Sequence, residues 1–164
     1  MSKLEQETKI RKAVLSDGDA LIGLINALAD YEKLERPNPE ACERIKKDAF
    51  GPKPKINIWL AEINGIAVAY AIYVFTYSSF LAKSNLFIED IFVLPEYRSL
   101  GIGKALFKQL AKIALVEGCG RMDWQVLDWN KLAIDFYDKI GAKHLKEWYW
   151  YRLNENQLEE LAQD

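Results

Sequence analysis

The chain has 164 residues, half of them hydrophobic and 28% charged, with a formal net charge of −2. That make-up suits one globular domain over residues 1–164, with a substantial core, and the slight negative charge disfavours a general nucleic-acid binder. No apolar run approaches the roughly 18 residues of a membrane span, and the Lys/Glu-rich start lacks a secretory pattern. Cys42 and Cys119 are isolated and His144 is the lone histidine, so neither a metal site nor a Cys–His nucleophile is expected. Two reduced thiols in a cytoplasmic protein fit that pattern.

In chain order, Thr8 to Val14 reads as a short strand. Ser16 stands where a helix cap is needed, Asp17 and Asp19 suit the first turn, and Leu21, Leu24, Ile25, Leu28 and Tyr31 form an apolar stripe. Asn38-Pro39 starts a second helix with Cys42, Ile45 and Ala49 facing inward. Ile56 to Ile63 and Ile66 to Tyr77 read as strands joined by Asn64-Gly65, a hairpin signal, and Ser78 to Asn85 as a loop or a wide hairpin connection.

Leu86 to Leu94 is a buried-strand pattern that carries two carboxylates, Glu89 and Asp90. Burying either costs free energy unless it is paired or used. Pro95 ends the strand, and a short loop leads into Gly101-Ile102-Gly103 and a helix from Lys104 to Glu117. Beyond Gly118 come a strand over Arg121 to Leu127, a short helix over Lys131 to Ile140, a last long strand over Lys143 to Leu153, and a terminal helix capped by Asn154. The order predicts a mixed α/β domain.

A glycine loop opening a helix aims unpaired N–H groups at an anion. A nucleoside-triphosphatase loop would need Gly at 98 and Ser or Thr at 105, where Arg98 and Ala105 stand; a dinucleotide fingerprint would need Gly at 106, where Leu106 stands. What remains, Arg98-x-x-Gly101-x-Gly103 after FVLPEYR, resembles the pyrophosphate-binding signature of the GNAT superfamily of acetyl-CoA-dependent N-acetyltransferases. Four blocks resemble its spermidine/spermine and thialysine acetyltransferase branch: Leu28 to Glu32, Phe75 to Tyr77, Phe87 to Gly103, and Val126 to Tyr137 with Gly141-Ala142 behind it. LDWN at Leu127 to Asn130 is nearer the thialysine type. The resemblance implies a GNAT fold, a mixed mostly antiparallel central sheet with helices on both faces. It also implies acetyl-CoA as cosubstrate, no metal, a small-molecule amine acceptor and a homodimer.

Site residues follow from the resemblance, each beside a plainer account. Ile91, Phe92 and Val93 would offer backbone groups to the pantetheine arm and are also core strand. Arg98, Ser99, Leu100, Gly101, Ile102, Gly103 and Lys104 would surround the pyrophosphate, where an ordinary turn is the alternative. Ser99 stands where the branch commonly has Gly. Asn130 would cap a helix and meet the coenzyme with Lys131, Leu132 and Ala133, or simply cap.

Tyr137 would protonate the leaving thiolate, as a phenol of pKa about 10 is protonated at neutral pH; the alternative is a packed aromatic beside Phe136. Glu89 would meet the substrate ammonium and relay its proton, or form a structural ion pair, while Asp90 on the opposite face reads as structural. Tyr31 and Glu32 match acceptor-contacting positions, or a solvated helix end. Trp148 occupies the place of a last-strand Glu in the polyamine enzymes, with Glu147 adjacent, which weakens polyamine specificity. Trp148 to Tyr151 would send two aromatics to each strand face, for core or dimer packing or an acceptor pocket.

The expected activity is direct acetyl transfer to a primary amine of a small cationic metabolite, since no cysteine sits in an acyl-enzyme motif. An acetyl-CoA sensor without turnover and a protein N-acetyltransferase are the alternatives.

Overall fold

A computed structural model of the chain describes residues 8–163. The chain divides into two compact units, with the boundary in sequence between Gln125 and Val126.

The first unit holds β1 (Thr8–Lys12), α1 (Gly18–Glu32), α2 (Pro39–Phe50), β2 (Asn57–Ile63), β3 (Ile66–Ser78), β4 (Lys83–Val93), α3 (Ile102–Val116) and β5 (Arg121–Trp124). The strands form one sheet in the order β1-β2-β3-β4-β5. Pairings are antiparallel up to β4, and β5 joins parallel because α3 carries the chain back to the same end. This is the mixed, mostly antiparallel sheet that the resemblance implies.

Asn64 and Gly65 both take positive φ, 51° and 79°, as the tight hairpin turn between β2 and β3 requires. Leu21 and Leu24 of α1 pack with Tyr70, Ile72 and Phe92 on one sheet face. The start of α3 lies toward Val93, whose side chain points to the other face because neighbours alternate along a strand. Helices therefore cover both faces.

Two expectations need correction. Ser16 does not cap α1: Leu15–Asp17 forms a 3₁₀ turn and the helix starts at Gly18. Asp17 is drawn out of capping geometry because its carboxylate accepts from the Val14 N–H at 2.7 Å and from Arg11. Arg11 also pairs with Glu62 across the β1–β2 ladder, and it holds both carboxyls below their ordinary range. Of the two readings of Ser78 to Asn85 the structure has the hairpin connection, with narrower bounds, since β4 already starts at Lys83, paired with Ser78.

Lys143 to Leu153 forms no strand. High β-propensity names residues that fit a pleated surface, but a strand needs a neighbour to take its hydrogen bonds, and none pairs with this segment among the described residues. The alternation that would send two rings to each face therefore does not operate, and Trp148, Tyr149, Trp150 and Tyr151 are all exposed.

The second unit contains α4 (Lys131–Lys139) and α5 (Glu155–Gln163). Asn154 and Gln157 cap α5 reciprocally: the Gln157 N–H donates to Asn154 Oδ1 and the Asn154 N–H to Gln157 Oε1. No helix among the described residues is long and apolar enough to cross a membrane.

Candidate functional site

The end of β4 has an open edge. Its ladder with β5 runs from Asn85↔Arg121 to Ile88↔Trp124 and stops, while β4 continues to Val93 paired with β3. The register shifts beside Ile72, so that Asp90 faces Ile72, Ile88 faces Tyr73, and Glu89 is the extra residue of a bulge. The Leu94 N–H donates to the Val68 carbonyl. By the alternation of antiparallel ladders, Asp90 and Phe92 turn their peptide groups toward β3, and Ile91 and Val93 turn theirs outward. An extended ligand laid there would meet the Ile91 peptide groups and the Val93 N–H as another strand would, the Val93 carbonyl being engaged by Arg98. By the same alternation the Phe92 peptide groups face β3, opposite Tyr70.

The loop after β4 has the geometry of an anion cradle. Gly101 caps α3 with φ +80°, a left-handed conformation that glycine adopts without steric cost. The first helical bond runs from the Ala105 N–H to the Gly101 carbonyl, so the Ile102, Gly103 and Lys104 N–H groups have no intrahelical acceptor. The first turn contains no acidic residue, and the helix dipole adds partial positive charge. Ser99 also has positive φ, 64°, which explains why glycine suits this position. A Cβ at Gly103 would come within 3.9 Å of Val93 Cγ2.

Arg98 is anchored where the strand becomes the loop. Its Nε donates to the Val93 carbonyl at 3.0 Å, and its guanidinium lies 4.5 Å from the Tyr31 ring centroid and 5.5 Å from that of Phe92. Those two rings are themselves 6.0 Å apart. Cation–π attraction thus ties the loop to the end of α1, and it brings Tyr31 and Arg98 together, a contact their separation in sequence does not suggest.

The carboxylates on this part of the unit differ in setting. Glu89 is exposed. Asp90 is part-buried on the face that carries Tyr70 and Phe92, and the Tyr70 hydroxyl donates to Asp90 Oδ2 at 3.2 Å. Burial pushes the Asp90 carboxyl up to about 6; the Tyr70 bond opposes that rise, and the negative fields of Glu89 and Glu32 add to it. Burial also pushes up the Glu32 carboxyl and, strongly, the Tyr70 phenol. Asp90, read from sequence as structural, is thus the carboxylate on the face toward α1. The signal available was its place, as a carboxylate, in an apolar run.

In the second unit, Asn130 Oδ1 accepts from the Ala133 N–H at 3.3 Å and so caps α4, leaving Lys131 and Leu132 exposed in its first turn. Tyr137 is half-buried on the same helix, its ring edge-on to Phe136 at 5.7 Å. Trp148 lies in the irregular segment before α5. No group of three or more His, Cys, Asp or Glu among the described residues is placed to hold a metal ion.

The acetyltransferase (GNAT) family profile matches residues 21–142. Thialysine N-epsilon-acetyltransferase of Bos taurus is 38% identical over 164 residues, covering 93% of this chain and 96% of that protein. Among solved structures, the integron cassette protein VCH_CASS6 of V. cholerae superposes with a TM-score of 0.83 at 25% identity, over 96% of this chain and 98% of its own. AAC(6')-Iy in complex with the bisubstrate analogue CoA-S-monomethyl-acetylneamine superposes with a TM-score of 0.73 at 19% identity, over 90% and 99%.

Proposed function

The chain belongs to the acetyltransferase (GNAT) family and is an N-acetyltransferase, and on that footing we propose that it transfers acetyl from acetyl-CoA to a primary amine of a small cationic metabolite. Diamines, polyamines and thialysine- or lysine-like amino acids are the acceptor class. The observation that carries this reading is the Gly101–Gly103 helix start beside the open edge of β4. One supplies N–H groups for a pyrophosphate, the other backbone partners for an extended arm. The relatives' printed activities and the bisubstrate complex of a fold neighbour support it.

The reaction is direct attack in a ternary complex. The ammonium, with a pKa of about 10, loses a proton; its nitrogen attacks the thioester carbon, and the departing thiolate takes a proton from Tyr137. Tyr31, Glu32 and Glu89, with Trp148, belong to acceptor recognition. The family profile crosses the boundary between the two units, which supports treating residues 1–164 as one acetyltransferase domain. A cytoplasmic setting, without membrane or nucleic-acid partner, completes the reading.

Thiol release with acetyl-CoA and a panel of thialysine, lysine, ornithine, diamines, polyamines and neutral amines tests it. Cationic acceptors are expected to turn over, and Glu32→Gln is expected to raise their KM severalfold with acetyl-CoA affinity unchanged. Equal rates with neutral amines in both forms would refute the cationic acceptor. A homodimer is part of the same proposal, supported by the exposed run Trp148 to Tyr151, since aromatics concentrate at subunit contacts. Sedimentation equilibrium is expected to give twice the chain mass, and a monomer at micromolar concentration would exclude it.

A further inference from the structure

We propose that Asp90, held by the buried hydroxyl of Tyr70, is the carboxylate that accepts the proton of the attacking ammonium, with Tyr70 as its positioning residue. The proposal rests on the acetyl-transfer reading above. Asp90 follows the bulge residue Glu89 and lies where the β5 ladder has ended and β4 keeps one neighbour. Its face carries the acceptor-side residue Tyr31, packed on Phe92.

Tyr70 is fully buried and has its hydroxyl 3.2 Å from Asp90 Oδ2. A core tyrosine spends its one polar atom on this carboxyl, which fixes one oxygen and leaves the other to a ligand. The ionisable groups around Asp90 are Tyr70 from β3, Glu32 from α1 and Glu89 on its own strand, with Arg98 stacked over Tyr31 and Phe92.

Burial raises Asp90 to about 6, roughly two pH units nearer the amine than an ordinary carboxylate of about 3.9, which makes it a better proton acceptor. In the step, the ammonium N–H bond breaks and its proton passes to Asp90 and then to solvent; the nitrogen lone pair so released forms the bond to the acetyl carbon. The Tyr70 bond favours the charged form of Asp90, so removing the hydroxyl must raise the Asp90 pKa further.

The experiment is the pH dependence of kcat/KM for the amine at saturating acetyl-CoA, in wild type, Tyr70→Phe and Asp90→Asn, with acetyl-CoA affinity measured beside it. In wild type log kcat/KM is expected to be level between about pH 6 and the amine pKa of about 10, and to fall with a slope of one below about pH 6, where Asp90 becomes protonated. Tyr70→Phe is expected to move that break up by about half a unit or more. Asp90→Asn is expected to abolish the break and lower kcat/KM at least tenfold, with acetyl-CoA binding retained.

Carboxyl-carbon NMR of wild type reads the Asp90 titration directly, so the pair is tested even if Tyr70→Phe fails to fold. A break that is absent in wild type, stays in place in folded Tyr70→Phe, or survives in Asp90→Asn overturns the proposal, as does an Asp90 that titrates near 4. Wild type without turnover on any amine would instead overturn the acetyl-transfer reading, and the NMR titration separates the two failures.

Discussion

Tyr137→Phe is expected to lower turnover about a hundredfold while leaving fold and acetyl-CoA affinity near wild type. Phenylalanine keeps the ring, and with it the edge-on contact with Phe136, so packing on α4 has little reason to change. Only the hydroxyl is lost. A proton donor to the leaving thiolate matters only as the carbon–sulfur bond breaks, so its loss falls on kcat and not on binding. A positioned acid contributes about a hundredfold or more, equivalent to about 2.7 kcal/mol of transition-state stabilisation. Water can stand in partly, so a loss nearer tenfold remains compatible. A purely packed aromatic gives a lower melting temperature with normal turnover; a sensor gives no turnover in either form. Steady-state kinetics at saturating amine from neutral to alkaline pH, with melting temperatures alongside, separates these outcomes. Wild-type rates in the variant would remove Tyr137 from the mechanism.

The second large effect is expected at the glycine loop. Arg98→Ala and Gly101→Val should each weaken acetyl-CoA binding at least tenfold, about 1.4 kcal/mol, for different reasons. Arg98→Ala removes a guanidinium and its anchorage to Val93, Tyr31 and Phe92. At Gly101 a Cβ would meet nothing within 4 Å, so no clash is involved. The cost is conformational: a β-branched residue at φ +80° is disfavoured by about 1–2 kcal/mol. Relaxation out of that conformation re-aims the N–H groups at the start of α3. Ser99→Gly is the control, since Ser99 already has positive φ; it should bind acetyl-CoA as well as wild type and be as stable or up to about 1 kcal/mol more stable. Calorimetry on folded variants checks all three, and unchanged affinity in both Arg98→Ala and Gly101→Val would remove the loop from pyrophosphate binding.

The residues alone determined a good deal. Period-two and period-3.6 patterns placed β2, β3, α1 and α3 because one face of each must be buried. Asn64-Gly65, Asn38-Pro39 and Asn154 marked turn and caps because their local chemistry suffices. Arg98, Gly101 and Gly103 named the anion loop by spacing. Properties that need a partner from elsewhere in the chain were out of reach.

Ser16 lost the cap of α1 because Leu15–Asp17 forms a 3₁₀ turn, held by Arg11 and the Val14 N–H on Asp17, and the helix starts only at Gly18. The aromatic run over 148–151 looked like a strand, yet a strand exists only against a neighbour's hydrogen bonds, and the tertiary structure supplies none among the described residues. Arg98 stacks on Tyr31 across some sixty-seven positions of sequence, a contact no local pattern encodes. The adjacent carboxylates Glu89 and Asp90 are alike in sequence; the bulge exposes one, while the fold buries the other against Tyr70. Burial in the packed sheet is what raises the Asp90 carboxyl, and the Tyr70 hydroxyl opposes that rise; both come from the tertiary structure.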